Sequence, residues 1–367
     1  MQSYTMAGGQ KKKRGWIILA VIAVLLIAAV VLYTQGFFRS VVRRVGAVKL
    51  RCVSTQDIQP FGADVLYYDG DSLFCMTSAG VERWSYRVGS GASYNASDGV
   101  VVIWRGTQLS ILNRNGRSTY DNNIGEEIQF ARAGSKYIAV VHGNSMTGDD
   151  HTAITFYNTS GDQLDMESTA YQDMLVLDAG FFSNGDYAWT TAMDLYGTVP
   201  STTMNTGTAD LGETLTYKII YAGGMLNVVG TRKLRVFDYH GTENTAASVL
   251  VYGWKLIDDA TVDGKAMLLF APTRQTNDIM SITELRCLLG RTDKRMTLPD
   301  ECVGAGIYGR NIYAFSAEFL YKADINATRF SAVSMPITGP ATEYIGMLSD
   351  GTALVATGLD VYAVTVP

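Results

Sequence analysis

Five acidic residues are the side chains of this sequence best suited to do chemistry. They fall in short segments with the character of β-strands: Asp57, Asp178, Asp258, Asp259 and Glu343. Carboxylates that gather at one opening attract cations or basic peptides and can exchange protons with a substrate. The competing explanation is ordinary hydration, since acidic side chains are mostly exposed to solvent. The five therefore form a candidate binding site and also the basis of an alternative, enzymatic hypothesis.

The other residue types that commonly serve catalysis do not form a recognisable set. His142, His151 and His240 lie far apart, and none is part of a His-Glu-x-x-His motif, so we expect no zinc site. Neither a Gly-x-Ser-x-Gly motif nor a phosphate-binding Gly-rich loop is present. A quinone enzyme needs a metal and a carboxylate base beside its cofactor, and no ligand set for one is recognisable. The sequence therefore predicts no catalytic residue, no metal site and no cofactor.

The chain contains four cysteines, Cys52, Cys75, Cys287 and Cys302. In an oxidising compartment they could form disulfides, and three pairings are open. Cys52 and Cys75 fall in apolar strand-like segments, where cysteine also behaves as a small buried hydrophobic residue. We expect buried free thiols, with disulfides as the alternative.

The net charge of −5 hides an asymmetry between the beginning of the chain and the rest. Residues 1–51 contain nine basic residues and no acid, whereas residues 52–367 contain 21 bases and 35 acids. Binding to nucleic acid requires clustered Lys and Arg to neutralise phosphates, so the acidic body argues against that function.

The basic region flanks an apolar segment of 18 residues, Trp16 to Tyr33, which as a helix would span ~27 Å. Trp16 and Tyr33 stand at its ends, and Lys11, Lys12, Lys13 and Arg14 precede it, as in a helix with a cytoplasmic N-terminus. We predict a cytoplasmic tail (1–15), a transmembrane signal anchor (16–34) and a basic stalk (35–46). The protein would be a single-pass protein of the plasma membrane, with the body outside. A cleaved signal peptide is the alternative, but its apolar core would be shorter.

The body, residues 47–367, repeats a unit of short apolar segments separated by turns. Glycines mark the first turn of each unit, about every 41 residues, at positions 62, 99, 134, 185, 224, 264, 309 and 351. This period is typical of four-stranded propeller blades. We predict an all-β fold, an eight-bladed β-propeller with seven blades as the alternative. Residues 48–54 would supply the missing strand of the last blade and close the ring, and the five acids would fall on the innermost strands, around a channel.

One unit carries a family resemblance. Residues 73–86, with Gly80 in the turn and Trp84 after it, resemble a PQQ-like propeller repeat, in which the Trp docks between blades. Most units lack that Trp, including those at Arg117, Gln163 and Thr242. Anchor and propeller together resemble an uncharacterised Gram-positive family of membrane-anchored PQQ-like propellers, and more distantly the propeller of the assembly lipoprotein BamB. The resemblance implies a non-catalytic scaffold and transfers no binding residue.

The leading hypothesis is therefore an extracytoplasmic scaffold for protein–protein interaction, with a role in assembly of the bacterial cell envelope. Its partner would be another membrane or envelope protein. Two alternatives are a sensor of an extracellular ligand and a propeller enzyme that uses the channel carboxylates.

Overall fold

A computed structural model describes residues 45–97, 99–143, 152–167, 174–182, 187–194, 201–204, 209–212, 216–273, 281–327 and 329–367. Residues 45–366 form one compact unit. The predicted tail and anchor, and most of the stalk, lie outside the described residues.

The described residues form 31 strands and one short 3-10 helix. The strands of the first half are β1 Gly46–Val53, β2 Asp57–Phe61, β3 Asp64–Tyr68, β4 Ser72–Thr77, β5 Glu82–Arg87, β6 Ser93–Ser97, β7 Val100–Arg105, β8 Gln108–Asn113, β9 Ser118–Asn123, β10 Ile128–Ala133, β11 Tyr137–His142, β12 Ala153–Asn158, β13 Gln163–Glu167, β14 Met174–Phe181, β15 Ala188–Asp194, β16 Ser201–Met204 and β17 Ala209–Gly212. Those of the second half are β18 Thr216–Ala222, β19 Met225–Gly230, β20 Lys233–Phe237, β21 Val249–Leu250, β22 Trp254–Val262, β23 Lys265–Pro272, β24 Ile282–Leu289, β25 Thr292–Tyr308, β26 Asn311–Ser316, β27 Phe319–Asp324, β28 Ser331–Ser334, β29 Glu343–Met347, β30 Thr352–Thr357 and β31 Asp360–Thr365. The helix is Thr245–Ala247.

The strands assemble into antiparallel meanders. Six sheets have four strands each, and one sheet has seven, β22 to β28. The first strand closes the ring, because β1 pairs with β31, the last strand of the chain, from Gly46 opposite Thr365 to Val53 opposite Asp360. This pairing places both ends of the described chain in one sheet and leaves the terminal strands paired rather than exposed. The arrangement is that of a β-propeller.

Hydrophobic packing between successive sets of strands holds the ring together. Second strands such as β7 are buried on both faces, with Val100 to Ile103 each at most 7% exposed. A strand covered on both sides has a continuous apolar sequence rather than an alternating one. Between β2–β5 and β6–β9, for example, Leu66 and Leu73 lie in one cluster with Val101 and Ile103. Each sheet therefore depends on its neighbours for its core.

The predicted fold is wrong in its blade count and in its membrane helix. Neither eight nor seven equal blades describes the arrangement, because six sheets have four strands while the seventh has seven. The physical cause is β25, which runs for 17 residues. Its first half pairs with β24 as the fourth strand of one meander, and its second half pairs with β26 as the first strand of the next. Along this strand Met296 and Leu298 are buried between exposed residues, and buried residues return from Cys302 onward. The backbone stays extended throughout, so no turn separates the two meanders.

No helix within the described part of the chain is long and apolar enough to cross a membrane. The predicted location, a single-pass plasma-membrane protein with its propeller outside, is corrected by this finding. The prediction depended on the length and hydropathy of residues 16–34, on the aromatic residues at its ends and on the basic residues before it. That segment, with Trp16, Tyr33 and the basic residues Lys11, Lys12, Lys13 and Arg14, lies outside the described residues.

Candidate functional site

The interface between the sheets β2–β5 and β6–β9 is filled by an aromatic side chain. The indole of Trp84, in β5, lies over Gly116 in the turn between β8 and β9, and its Nε1 donates a hydrogen bond to the carbonyl of Arg114 at 2.9 Å. Gly116 has a φ of +73°, and a Cβ there would overlap the indole. Glycine is therefore required both by the backbone and by the ring above it. The predicted docking of Trp84 between sheets is confirmed.

The next interface along the chain is filled in the same way. Tyr120, in β9, lies over Gly161 in the turn that follows β12, and a Cβ on that glycine would overlap the tyrosine ring. The same ring is 5.7 Å from that of Tyr157. Trp84 and Tyr120 each follow the glycine of their own turn by four residues. The sequence search expected tryptophan at this place and so missed the tyrosine.

The interface between β18–β21 and β22–β25 contains a cavity of about 460 Å³ instead. This volume lies within the range of small-ligand pockets, ~300–1,000 Å³. Its apolar lining comes from Ala222, Met225, Leu234, Val236, Ala246, Ala247, Val249, Ala266, Leu268 and Leu288. Its polar lining comes from Asn227, Asn244, Lys265, Arg291, Thr292 and Asp293. We call this space the inter-sheet cavity.

The cavity exists because small residues stand where two other interfaces, at Gly116 and Gly161, have an aromatic ring. The turn after β20 matches the turn after β8, since Asp238 accepts hydrogen bonds from the backbone N–H groups of His240 and Thr242, as Asn113 does from those of Asn115 and Arg117. Four residues after the turn glycine, Gly241, begins the 3-10 helix of Thr245, Ala246 and Ala247. These side chains are too short to cover the neighbouring turn.

The two sheets nevertheless touch closely beside the cavity. Gly223 has a φ of +63°, and a Cβ there would overlap the backbone nitrogen of Ala266. Its own N–H donates to Oγ1 of Thr261 at 3.2 Å. On the opposing turn, a Cβ on Gly290 would lie 3.3 Å from Cδ of Lys265. The walls of the cavity are therefore held by backbone contacts between hairpins.

The charged residues around the cavity leave its rim positive. Lys265 and Arg291 are exposed, and within the described ranges neither has a carboxylate within ion-pair distance. Asp293 is neutralised by Arg286, which donates Nε to Oδ1 at 2.9 Å and NH2 to Oδ2 at 2.7 Å. This pairing lowers the pKa of Asp293 and raises the pKa of Arg286. The two unpaired cations therefore dominate the local field.

The sequence search did not identify the residues of this cavity. One sequence feature could have indicated the cavity. The unit at Thr242 has a turn that follows the repeat, but no aromatic residue comes after that turn. An absent side chain predicts a cavity only when the facing turn is known, and that turn, at Gly290, lies in the next unit of the chain.

The five predicted channel acids are distributed over four innermost strands. Asp258 and Asp259 are consecutive residues of β22, and Asp178 lies in β14. Asp57 and Glu343 are exposed and begin β2 and β29, two innermost strands that contact each other. Their joint role as a channel-mouth binding site stays a prediction.

Asp178 and Asp258 occupy the same place in the repeat, directly after a β-bulge in an innermost strand. Each accepts a hydrogen bond from the N–H of the following residue. Asp178 also accepts one from Nε of Arg132 at 2.8 Å, across the boundary with the preceding sheet. Asp258 instead accepts one from the N–H of Ile307 at 2.6 Å. The two carboxylates thus tie neighbouring innermost strands together.

Burial raises the pKa of Asp258 to about 6, against the effect of its two backbone donors. Tyr344, from β29, lies over Gly304 and Gly306 and reaches the same region, and its pKa is raised by burial and by the charge of Asp258. Asp259 forms an ion pair with Lys218 of β18 at 3.3 Å. These contacts give Asp178, Asp258 and Asp259 a structural role in the inner strands.

The histidines and cysteines that lie in the described segments have structural surroundings. Buried His142 contacts Glu126 through Nδ1 and Thr155 through Nε2, both at 2.7 Å. The ring of His240 contacts that of Tyr239, with centroids 3.7 Å apart and the planes tilted by 39°, and His151 lies outside the described residues. The four cysteines are buried free thiols, and burial raises their pKa to about 11 for Cys52 and about 12 for Cys75, Cys287 and Cys302. Among the residues described, no three His, Cys, Asp or Glu form a metal-binding group.

Comparison with known proteins gives likenesses in fold only. No family model and no curated protein matches the chain. The WD40 domain of Pan2 from Neurospora crassa is 8% identical, with a TM-score of 0.49 over 85% of this chain and 89% of that one. BamB from Moraxella catarrhalis is 12% identical, with a TM-score of 0.49 over 87% and 95%. Apo AztD from Citrobacter koseri is 11% identical, with a TM-score of 0.49 over 78% and 87%. The assignment as a propeller rests on the strand topology.

Proposed function

We propose that this protein is a non-catalytic scaffold that binds another protein through the inter-sheet cavity and the surface around it. The observation that carries this proposal is the cavity itself, a recess of about 460 Å³ with a mainly apolar lining that the chain's own side chains leave open. Protein partners anchor in such recesses through one or a few buried side chains.

Exposed aromatic residues extend this surface along the ring. In a four-stranded meander, the turn between the first two strands and the turn between the last two lie on the same face. The cavity is lined by such turns, at Gly223, Gly264 and Gly290. Tyr239 and Tyr187, 47% and 51% exposed, lie in turns on that face, and their rings are 5.3 Å apart. Tyrosine and apolar recesses together are typical of protein-binding surfaces.

A propeller enzyme that uses channel carboxylates is the second candidate, and the raised pKa of Asp258 favours it. A carboxyl with a pKa of about 6 can act as a general acid or base near neutral pH. Both of its oxygens, however, accept backbone hydrogen bonds, from Asp259 and Ile307. A group held in this way stabilises strand packing, which is why the scaffold is the preferred function.

A photo-crosslinking residue tests the scaffold proposal at the cavity. Benzoylphenylalanine would replace Ala246, which is exposed at the cavity, in the full chain expressed in its own cells. The control position is Val81, which is 63% exposed in the turn before β5. We expect a defined partner to crosslink at position 246 and not at 81, and to be lost when Ala247→Trp fills the cavity. Equal crosslinking at both positions, or a partner that survives Ala247→Trp, would overturn the proposal.

The identity of that partner tests the narrower form of the proposal. A role in assembly of the cell envelope requires that the protein captured at position 246 be an envelope component. Capture of a partner from elsewhere would leave the scaffold function and remove the envelope role.

A further inference from the structure

We propose that the inter-sheet cavity binds an aromatic side chain of the partner, with a carboxylate close to it in the partner's sequence. The inference rests on the proposed scaffold function and names the chemistry that this site recognises. It is carried by two observations, the way the molecule fills the same space elsewhere and the charge at the rim.

The molecule itself shows what fits between its sheets. At two other interfaces the space over the facing turn is occupied by a ring, Trp84 over Gly116 and Tyr120 over Gly161. At the cavity, the segment in the matching place is Thr245–Ala247, and the facing turn is at Gly290. The turn before this segment has the same hydrogen bonds as the turn after β8, and the segment carries no ring, so a ring supplied by a partner would occupy the space that Trp84 and Tyr120 fill elsewhere.

The walls of the cavity suit a ring rather than a polar group. Leu234, Val236, Leu268 and Leu288 belong to the buried core between the two sheets, and the cavity exposes one side of that core. Covering them with an aromatic side chain removes apolar surface from water. The amide group of Asn244, which is exposed in the lining, provides polar atoms where an indole N–H or a peptide group could bind, whereas Nδ2 of buried Asn227 already donates to the carbonyls of Ala222 and Met225.

The positive charge at the rim of the cavity favours a negative group beside the partner's aromatic ring. Lys265 and Arg291 stand on the side of the facing hairpins, and Asp293, the one acid in the lining, is already bound by Arg286. The part of the chain beyond residue 51 carries an excess of acids, so this positive rim stands apart from the rest of the body. A partner residue with a carboxylate next to the ring would be attracted, and one with an amine would be repelled.

The test uses short peptides that contain 5-fluorotryptophan, followed by ¹⁹F NMR with the full chain. The probe is acetyl-Ala-Trp-Asp-Ala-amide with 5-fluorotryptophan at the Trp position. One control peptide replaces Asp by Lys and keeps the fluorine label. The other replaces Trp by Ala, carries no fluorine, and is therefore measured by its competition with the probe. We expect saturable binding of the Trp-Asp peptide, at least tenfold weaker binding of the Trp-Lys peptide, and no competition by the Ala-Asp peptide.

Protein variants locate the binding. Ala247→Trp should weaken the Trp-Asp peptide at least tenfold, because the added ring fills the cavity. Ala79→Trp is the matched control, since Ala79 is exposed in the turn before β5, away from the cavity, and it should leave binding unchanged. The double variant Lys265→Glu/Arg291→Glu should reverse the preference, so that the Trp-Lys peptide binds better than the Trp-Asp peptide.

The outcomes separate the ligand chemistry from the scaffold function. Binding that survives Ala247→Trp, or a preference that the double variant does not reverse, would overturn the inference. If no peptide binds while crosslinking at position 246 still captures a partner that Ala247→Trp removes, the ligand class is wrong and the scaffold function stands. If both fail, both are wrong.

Discussion

Two interfaces of this propeller occupy matching places in the repeat and have opposite contents. Between β2–β5 and β6–β9, Trp84 covers Gly116 and bonds to the Arg114 carbonyl. Between β18–β21 and β22–β25, Ala246 and Ala247 face Gly290 across a cavity of about 460 Å³. A repeat can thus turn a packing contact into a recess by losing one large side chain, provided that neighbouring contacts hold the sheets apart.

Beside the apolar core that the two sheets share, local contacts also fix their spacing at the cavity. Gly223 presses its backbone against Ala266, and Lys218 pairs with Asp259 on the inner strands. At the filled interface the ring itself carries much of the contact. The difference predicts that substitutions at the filled interface cost more stability than the matching substitutions at the cavity.

Alanine substitutions of the glycines in the two facing turns should give the largest difference in the loss of stability. Gly116→Ala should lower the free energy of unfolding by about 3 kcal/mol, since a Cβ meets the indole and alanine is strained at φ +73°. Gly290→Ala should cost about 1 kcal/mol, because φ is +58° but the nearest atom is the flexible stem of Lys265. Urea denaturation measures both. In a Trp84→Ala background the cost of Gly116→Ala should fall to about 1 kcal/mol; an unchanged cost would mean that the clash is not with the ring.

Removing the ring should convert the filled interface into a second open one. Trp84→Ala should cost about 2 kcal/mol, from the lost apolar contact and the lost hydrogen bond to Arg114. Free indole should then raise the melting temperature of the variant more than that of the parent, as calorimetry can show. A loss below about 0.5 kcal/mol, or no selective effect of indole, would contradict the role given to Trp84.

The two regions also differ in how they hold a carboxylate. Beside the filled interface, Asp64 is paired with Nε of Arg83 at 2.7 Å, whereas Asp258, in the innermost strand β22 of the second region, accepts two backbone N–H groups. Because folding raises the pKa of Asp258 to about 6, its protonated form stabilises the fold at low pH, and that stability is lost as pH rises through 6. The free energy of unfolding should therefore fall by about 1 kcal/mol between pH 5 and pH 7 from this group.

Comparison with Asp258→Asn isolates that contribution. The variant should be less stable overall, since one backbone N–H loses its acceptor, and its stability should lack this part of the pH dependence. In ¹³C NMR of aspartate-labelled protein, one carboxyl resonance that titrates near pH 6 should vanish in the variant. Identical pH slopes for the two proteins would show that Asp258 is not the titrating group.

The smallest difference in the loss of stability is expected for substitutions at the inner ends of the two interfaces. Tyr94→Phe removes the hydrogen bond from the Tyr94 hydroxyl to the carbonyl of Asp57, at 3.1 Å, and should cost about 1 kcal/mol. Lys218→Met removes the partly exposed pair with Asp259 and should cost about 0.5 kcal/mol. Salt should reduce the second effect and leave the first, as urea denaturation at low and high ionic strength can show.

Much of the β-structure could be predicted from the sequence because it depends on local patterns. Turn glycines such as Gly264 and Gly351 have positive φ, and the apolar segments after them are buried strands. The pairing of residues 48–54 with the end of the chain followed from the need to leave no exposed strand edge, and β1 does pair with β31. The docking of Trp84 between sheets was predicted from the resemblance of one unit, residues 73–86, to a PQQ-like repeat.

The blade count and the membrane helix were not predicted correctly. Residues 292–308 contain a proline and three acids, yet they form one strand because both halves find partners, in β24 and β26. The candidate acids were placed on innermost strands, as Asp258 and Asp178 show, but their partners, Ile307 and Arg132, come from other sheets.

The sequence by itself determined the strands, their turns and the one ring that fills an interface, because periodicity and positive φ act within a few residues. The tertiary structure decided which turn faces which segment. Ala247 and Gly290 are separated by more than 40 residues, and only the packing of two sheets makes the space between them a cavity. A missing side chain has no local signature, so the site that best explains a binding function could not be found before the sheets were assembled.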